Sequence, residues 1–194
     1  LLRQFAERNL SLIGAILYIY TPYRSVDLYV RGAIGEIVSF VFLPLIVLSV
    51  IKISLQINFK WVGISALSLA SLVLSHNITA YMFFPFVGFL FILQFFLAQF
   101  RRDYSIKAFL MIFLSLLVSV YFWLPALIES QLVKHDTVFN FADHFPTLLQ
   151  LIKPFWGYGA SVPGPYDGMS FFLGIANILL LITGTGLFLI RWKQ

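Results

Sequence analysis

The sixteen residues TPYRSVDLYVRGAIGE, at positions 21–36, separate two long apolar runs of the chain. Four charged side chains, Arg24, Asp27, Arg31 and Glu36, lie in this stretch, together with Tyr29. Charges are costly inside a bilayer, so a short charged segment between two apolar runs marks a connection at the membrane surface. The stretch therefore predicts a polar connection between two membrane-spanning helices.

The composition of the whole chain supports a membrane protein. Hydrophobic residues make up 60% of the sequence and charged residues 11%, whereas soluble domains carry roughly 25% charged residues. Backbone polar groups inside a bilayer must bond to one another, so long apolar runs are predicted to be helices. The chain has no Cys, which excludes disulfides and thiolate chemistry. Nucleic acid is not expected as a partner.

The apolar runs predict an all-α polytopic bundle of six spans, forming a single transmembrane domain over residues 1–194. The first run is short, because only fifteen uncharged residues separate Arg8 from Arg24. The chain begins at Leu1 and lacks a signal-peptide pattern, which predicts an internal piece of a longer protein. The predicted spans are Asn9–Tyr20, Ala33–Ile53, Trp61–Ser75, Ile78–Phe100, Ile106–Ile128 and Met169–Ile190.

Several local features of these spans carry their own predictions. Pro44 is expected to kink the second span. Gly63, Ala66 and Ala70 form a small-residue stripe on the third span, which favours close helix packing. Ser105 is a candidate N-cap for the fifth span.

Charge asymmetry predicts the orientation in the plasma membrane. With the N-terminus cytoplasmic, nine of the 13 Lys and Arg residues fall on the inner side. This arrangement agrees with the positive-inside rule. The inner segments then sum to +7 and the outer segments to −2, and all three His residues are outside. Both ends of the chain are therefore predicted to be cytoplasmic and any polar site extracytoplasmic.

Two short helices are predicted to lie in the outer interface. The first covers Ser25–Val30, with Ser25 as its N-cap and Gly32 as its end. The second covers Phe145–Lys153, with Pro146 in its first turn.

Glu36 has two interpretations, because its position near the outer boundary requires a partner. It forms an ion pair with Arg31 or Arg24 that pins the connection to the helix start, or it orients one of two arginines that hold a phosphate. His76 likewise is either a turn residue or a substrate ligand. Asn77 begins a glycosylation sequon, to which a tight turn at the bilayer gives little access.

The long connection after the fifth span holds the pairs His135-Asp136 and Asp143-His144, which allow a divalent metal site, although no helix-spaced His pair fixes its geometry. No metal or other cofactor is predicted. The loop WGYGASVPGPYDGM, at positions 156–169, is rich in aromatic rings. These rings suit either an interfacial belt or stacking on sugar faces.

Several motifs in succession resemble one family of bacterial and archaeal membrane proteins. They are YIYTPYR, DLYVRGAIGE, FLPLI, LSHN, WLPALIES, HFPTLLQL, WGYG and GMSF. Together they resemble the integral membrane proteins labelled 6-pyruvoyl-tetrahydropterin synthase-related, which are similar to GT-C glycosyltransferases.

The resemblance implies transfer of a sugar from a polyprenyl-phosphate carrier to an extracytoplasmic acceptor, for cell-envelope assembly. It places Arg24, Asp27, Tyr29, Arg31 and Glu36 near the carrier phosphate. It also places His76 beside these residues. GT-C enzymes usually carry the catalytic carboxylate in their first outer loop, so the resemblance implies a general base upstream of this sequence.

Two other functions stay open on the residues alone. A transporter or lipid flippase would also use helix kinks and polar helix ends, although such proteins tend to carry charges at the midplane. A membrane scaffold without catalytic activity would tolerate Arg31→Ala and Glu36→Ala in function and lose only stability.

Overall fold

A computed structural model describes residues 1–55, 58–132, 145–162, 164 and 166–192. Throughout these ranges the regular structure is helical, and extended pairing is limited to one isolated antiparallel bridge between Tyr158 and Met169. The all-α prediction is confirmed for the described part of the chain. The α-helices are α1 (Arg8–Ile19), α2 (Pro22–Val26), α3 (Ile34–Leu55), α4 (Phe59–Ser75), α5 (Asn77–Leu97), α6 (Arg101–Val118), α7 (Val120–Glu129), α8 (Leu148–Ile152) and α9 (Ile175–Trp192).

The helices fall into two compact units. One unit contains α3 to α7, and the other contains α1, α2, α8 and α9. The connection at positions 21–36 therefore supplies residues to both units: Arg24, Asp27, Tyr29 and Arg31 belong to the second, and Glu36 belongs to the first.

The core of the first unit forms where α4 packs against α3, α5 and α6. Ile46, Val50, Leu72 and Met111 are fully buried there. Buried serines line the same helices; the Ser49 hydroxyl, for example, donates to the Leu45 carbonyl at 2.7 Å. Hydroxyls bonded to their own helix satisfy their polar groups while leaving a small side chain at the contact, which permits close helix approach.

The predicted small-residue stripe of α4 is partly right. Ala66 and Ala70 are buried, but a Cβ atom at Gly63 would meet no other atom within 4 Å. The tight contact lies elsewhere: a Cβ atom on Gly35 would come within 2.5 Å of the Ser75 carbonyl oxygen. Gly35 therefore allows the start of α3 to approach the end of α4.

Two helices, α3 and α5, are long and apolar enough to cross a membrane. The bent pair of α6 and α7 would make a third span, and α4 and α9 are apolar but shorter. Large apolar side chains of α5 are exposed, among them Met82 at 74% and Phe89 at 60%. Because such surfaces are unfavourable in water, these helices mark a membrane protein. The full set of six spans stays a prediction.

The fifth predicted span is not one continuous helix. The chain bends by 71° between α6 and the segment that starts at Val120. At the bend, the Ser119 amide and hydroxyl both donate to the Ser115 carbonyl, at 3.1 and 2.8 Å. The hydroxyl bond back to the helix is a local alternative to continued helical bonding, and it accompanies the end of α6.

The predicted start of the same span is also wrong. The helix begins at Arg101, and Ser105 lies inside it with its hydroxyl bonded to the Arg101 carbonyl at 2.9 Å. In contrast to α6, α3 runs unbroken from Ile34 to Leu55 with Pro44 inside it.

Candidate functional site

The short helix α2 opens the polar connection at positions 21–36. It begins at Pro22 rather than at the predicted Ser25, since proline has the backbone angle of a first helical residue and needs no amide bond there. The Thr21 hydroxyl donates to the Leu17 carbonyl at the end of α1. The predicted helix end at Gly32 is confirmed, because the π-helical turn that follows α2 ends there and Gly32 adopts a left-handed conformation with φ of 63°.

A single π-helical turn, Asp27–Arg31, follows α2. Arg31 Nη1 donates to the Asp27 carboxylate at 2.5 Å and to the Tyr23 hydroxyl at 2.9 Å. The Asp27 side chain is fully buried, whereas the Arg31 side chain is 36% exposed. This turn therefore anchors a guanidinium on a buried carboxylate and leaves part of the arginine side chain exposed.

The other two predicted site residues of this unit lie in different settings. The Arg24 guanidinium lies 5.1 Å from the centre of the Tyr18 ring, in cation–π geometry. The Tyr29 side chain is 68% exposed. Arg24 thus contacts α1, while Tyr29 extends away from the packed part of the unit.

Glu36 and His76 belong to the first unit. Glu36 lies in the first turn of α3 and is buried, at a helix end that favours a negative charge. Arg31 forms an ion pair with Asp27. Pairing of Glu36 with Arg31 or Arg24 stays a prediction.

His76 occupies the junction of α4 and α5. Its Nδ1 atom accepts a hydrogen bond from the Thr79 amide at 3.3 Å and lies 2.7 Å from the Thr79 hydroxyl. The predicted turn role of His76 is confirmed, because the ring caps the start of α5. A role as a substrate ligand stays a prediction.

The second predicted interfacial helix is shorter than expected. Helix α8 covers Leu148–Ile152, and Pro146 precedes its cap residue, Thr147. Thr147 and Gln150 form a reciprocal capping box. The T-x-x-Q spacing is a known signature of a helix start, and it would have placed this boundary correctly from the sequence.

Asp167 holds the loop at positions 156–169, from here on the glycine-rich loop, against α8, and the sequence analysis did not predict this role. One carboxylate oxygen accepts from Gln150 Nε2 at 2.7 Å, and the other accepts from the Val162 amide at 2.9 Å. Nothing in the local pattern indicates this bond to Gln150, because the two residues are separated by seventeen positions.

Two backbone segments of this loop approach each other without room for side chains. The Gly159 amide donates to the Gly168 carbonyl at 2.9 Å, and the Gly168 amide donates to the Ala160 carbonyl at 3.0 Å. A Cβ atom on Gly168 would lie 2.6 Å from Gly159 Cα. Glycine is therefore required at this crossing.

The residues just before α9 pack beside α8 and the polar connection. The Leu173 amide donates to the Leu151 carbonyl at 3.0 Å. Gly174, with φ of 96°, lies so near Pro22 that a Cβ atom would be 2.9 Å from the proline Cδ. The start of α2 and the residue before α9 are thus neighbours in the second unit.

A cleft of about 490 Å³ lies between α8 and the glycine-rich loop. Its lining includes Lys153, Asp167, Phe155 and Phe171. The described residues contain no group of three or more His, Asp or Glu side chains that would hold a metal ion. The predicted alternative metal site at positions 135, 136, 143 and 144 lies outside the described residues.

Comparisons of the chain with protein-family models, with curated proteins and with solved structures gave no match.

Proposed function

We propose that this protein is a membrane glycosyltransferase of GT-C type, which moves a sugar from a polyprenyl-phosphate carrier to an extracytoplasmic acceptor. The observation that carries the proposal is the Arg31 guanidinium, anchored on buried Asp27 and still 36% exposed. Transfer from a lipid phosphate needs a fixed cation to stabilise the negative charge of the leaving phosphate. Arg31 meets this requirement, and its planar fork suits phosphate oxygens.

The other residues of the connection have supporting roles in this proposal. Asp27 and the Tyr23 hydroxyl orient the guanidinium through the bonds described above. Arg24 supplies a second positive charge a few residues away, and exposed Tyr29 contributes an aromatic ring at the membrane interface. Glu36 and His76, in the first unit, stay predicted substrate-binding residues. We assign no general base.

The proposal includes six spans in an extracytoplasmic-site orientation. The charge distribution supports this topology, because it places nine cations on one side and four on the other. In this proposal Arg24 and Arg31 lie at the depth of lipid phosphates, where a membrane-bound carrier presents its reactive group.

Arg31→Lys is the variant that tests the proposal most directly. Lysine keeps a positive charge beside Asp27 but loses the planar fork that contacts two phosphate oxygens. We expect sugar transfer from synthetic polyprenyl-phosphate sugar in proteoliposomes to fall at least tenfold, because charge-assisted bonds contribute about 1.5–3 kcal/mol. The unfolding midpoint should change little.

The matched control is Arg101→Lys, which alters an arginine at the start of α6 and should leave transfer unchanged. Wild-type rates in Arg31→Lys would remove Arg31 from the proposed site. Wild-type protein without any transfer, given a range of lipid-linked sugars, would contradict the glycosyltransferase proposal itself.

A lipid flippase or transporter is the second candidate, favoured by the bend at Ser119. Broken helices are common at the binding sites of transporters. Helix α6 also contains Lys107, which is fully buried and bonded to Asp103 at 2.5 Å. This candidate predicts protein-dependent movement of labelled lipid across proteoliposome membranes, and Lys107→Gln should reduce that movement.

A further inference from the structure

The cleft between α8 and the glycine-rich loop has the size of a ligand pocket. Its volume of about 490 Å³ falls within the range of roughly 300–1,000 Å³ that is usual for small-molecule sites. Every residue that lines it belongs to residues 147–171, within the second unit. The cleft is separate from the Arg31 turn, whose residues do not line it.

Most polar groups of the cleft are already used to build its walls. Both carboxylate oxygens of Asp167 accept hydrogen bonds, one from Gln150 and one from the Val162 amide. The Gln150 side-chain oxygen Oε1 accepts from the Thr147 amide and hydroxyl. These bonds stabilise the walls of the cleft, and they pair the Gln150 amide and the Asp167 carboxylate with other protein groups.

Lys153 differs from Gln150 and Asp167 because its charged group is not used in an ion pair within the described ranges. Its side chain is exposed and lines the cleft. A positive charge without a protein carboxylate is suited to an anionic group of a ligand.

Apart from the Tyr166 hydroxyl, the remaining walls are apolar. Leu149, Phe155, Met169 and Phe171 line the cleft, and Met169 is 8% exposed. Such walls match a hydrocarbon chain, and a small inorganic anion would leave them unused.

The surface around the cleft shows where such a ligand comes from. Phe145, Leu148 and Ile152 are 76%, 78% and 58% exposed. Exposed apolar side chains on a short helix that ends next to a lysine are typical of a segment in the membrane interface. A cleft in such a segment is open to the bilayer.

We infer that this cleft binds an anionic glycerophospholipid, with the lipid phosphate at Lys153 and one acyl chain against the apolar walls. The bilayer itself supplies this ligand. The inference does not depend on glycosyl transfer, and it gives the protein a preference for anionic membranes through a site distinct from Arg31.

Native mass spectrometry of the purified full chain tests this inference. The protein in detergent is titrated with phosphatidylglycerol and, separately, with phosphatidylcholine of the same acyl chains. We expect phosphatidylglycerol to bind about fivefold more tightly than phosphatidylcholine, and Lys153→Gln to abolish that difference, since one basic residue contributes about 1 kcal/mol toward an anionic lipid. Lys153→Arg should keep the preference.

Two further variants separate the cleft from general surface charge. Lys60→Gln removes a lysine of α4, in the other unit, and should leave binding unchanged. Leu149→Ser alters an exposed apolar wall residue and should weaken phosphatidylglycerol binding. Thermal unfolding of each variant confirms that it is folded.

Three results would overturn the inference. One is equal binding of phosphatidylglycerol by wild type and folded Lys153→Gln. Another is equal binding of the two lipids by wild type. The third is displacement of phosphatidylglycerol by millimolar inorganic phosphate, because a site for small anions would not need the apolar walls.

Discussion

Arg31 and Asp27 form an ion pair of 2.5 Å across one π-helical turn, and the two partners differ in their exposure to solvent. The carboxylate is fully buried, whereas about a third of the arginine side chain is exposed. Because burial is costly for a charge, the buried carboxylate depends on this pair more than the guanidinium does.

The pair therefore predicts unequal effects of removing each partner. Arg31→Ala removes the ion pair of a fully buried carboxylate and should cost about 3–5 kcal/mol of unfolding free energy. Asp27→Ala leaves an arginine that water can solvate, so it should cost only about 1–2 kcal/mol. Denaturant unfolding in detergent measures both values. Equal costs would contradict the dependence of Asp27 on Arg31.

Gly35 and Gly63 offer a matched pair of alanine substitutions in the first unit. Gly35→Ala should destabilise the protein by about 1–3 kcal/mol, because the new Cβ atom would overlap the Ser75 carbonyl. Gly63→Ala enters open space and should stabilise α4 by up to about 1 kcal/mol through helix propensity. Thermal unfolding midpoints should move in opposite directions, and a loss of stability in both variants would contradict the contact at Gly35.

His76 caps α5 through its Nδ1 atom, so removal of the ring should weaken that helix start. His76→Ala should cost about 0.5–2 kcal/mol of unfolding free energy. His76→Asn keeps a short side-chain acceptor and should recover most of this stability. If alanine and asparagine behave alike in calorimetry, the capping interaction does not contribute to stability.

The predicted orientation can be tested by cysteine labelling, because the chain contains no native Cys. Asp27 is fully buried and unsuitable as a labelling site, so we choose its exposed neighbour Tyr29. Tyr29→Cys should react with a membrane-impermeant maleimide from outside intact cells, and Arg102→Cys only after the cells are opened. Reaction of both variants from the same side would contradict the assigned topology.

The helices were predictable because, in an apolar run that is shielded from water, the backbone N–H and C=O groups must form hydrogen bonds with one another. The second predicted span, Ala33–Ile53, agrees with α3 to within two residues at each end. The apolar composition of the fifth span was predictable, but its break into two helices was not. Its apolar run passes through Ser119 without any change in composition, and the bend there depends on local hydrogen bonds to Ser115.

The sequence by itself determined that this protein lies in an apolar medium, that it is helical, and that the π-helical turn ends at Gly32. Each of these follows from local chemistry: side-chain hydropathy, backbone hydrogen bonding, and the left-handed conformation that glycine adopts easily. Tertiary structure alone decided that Asp167 bonds to Gln150 and that α8 and the loop enclose a cleft. Those features require residues distant in sequence to meet, and no local preference specifies such a meeting.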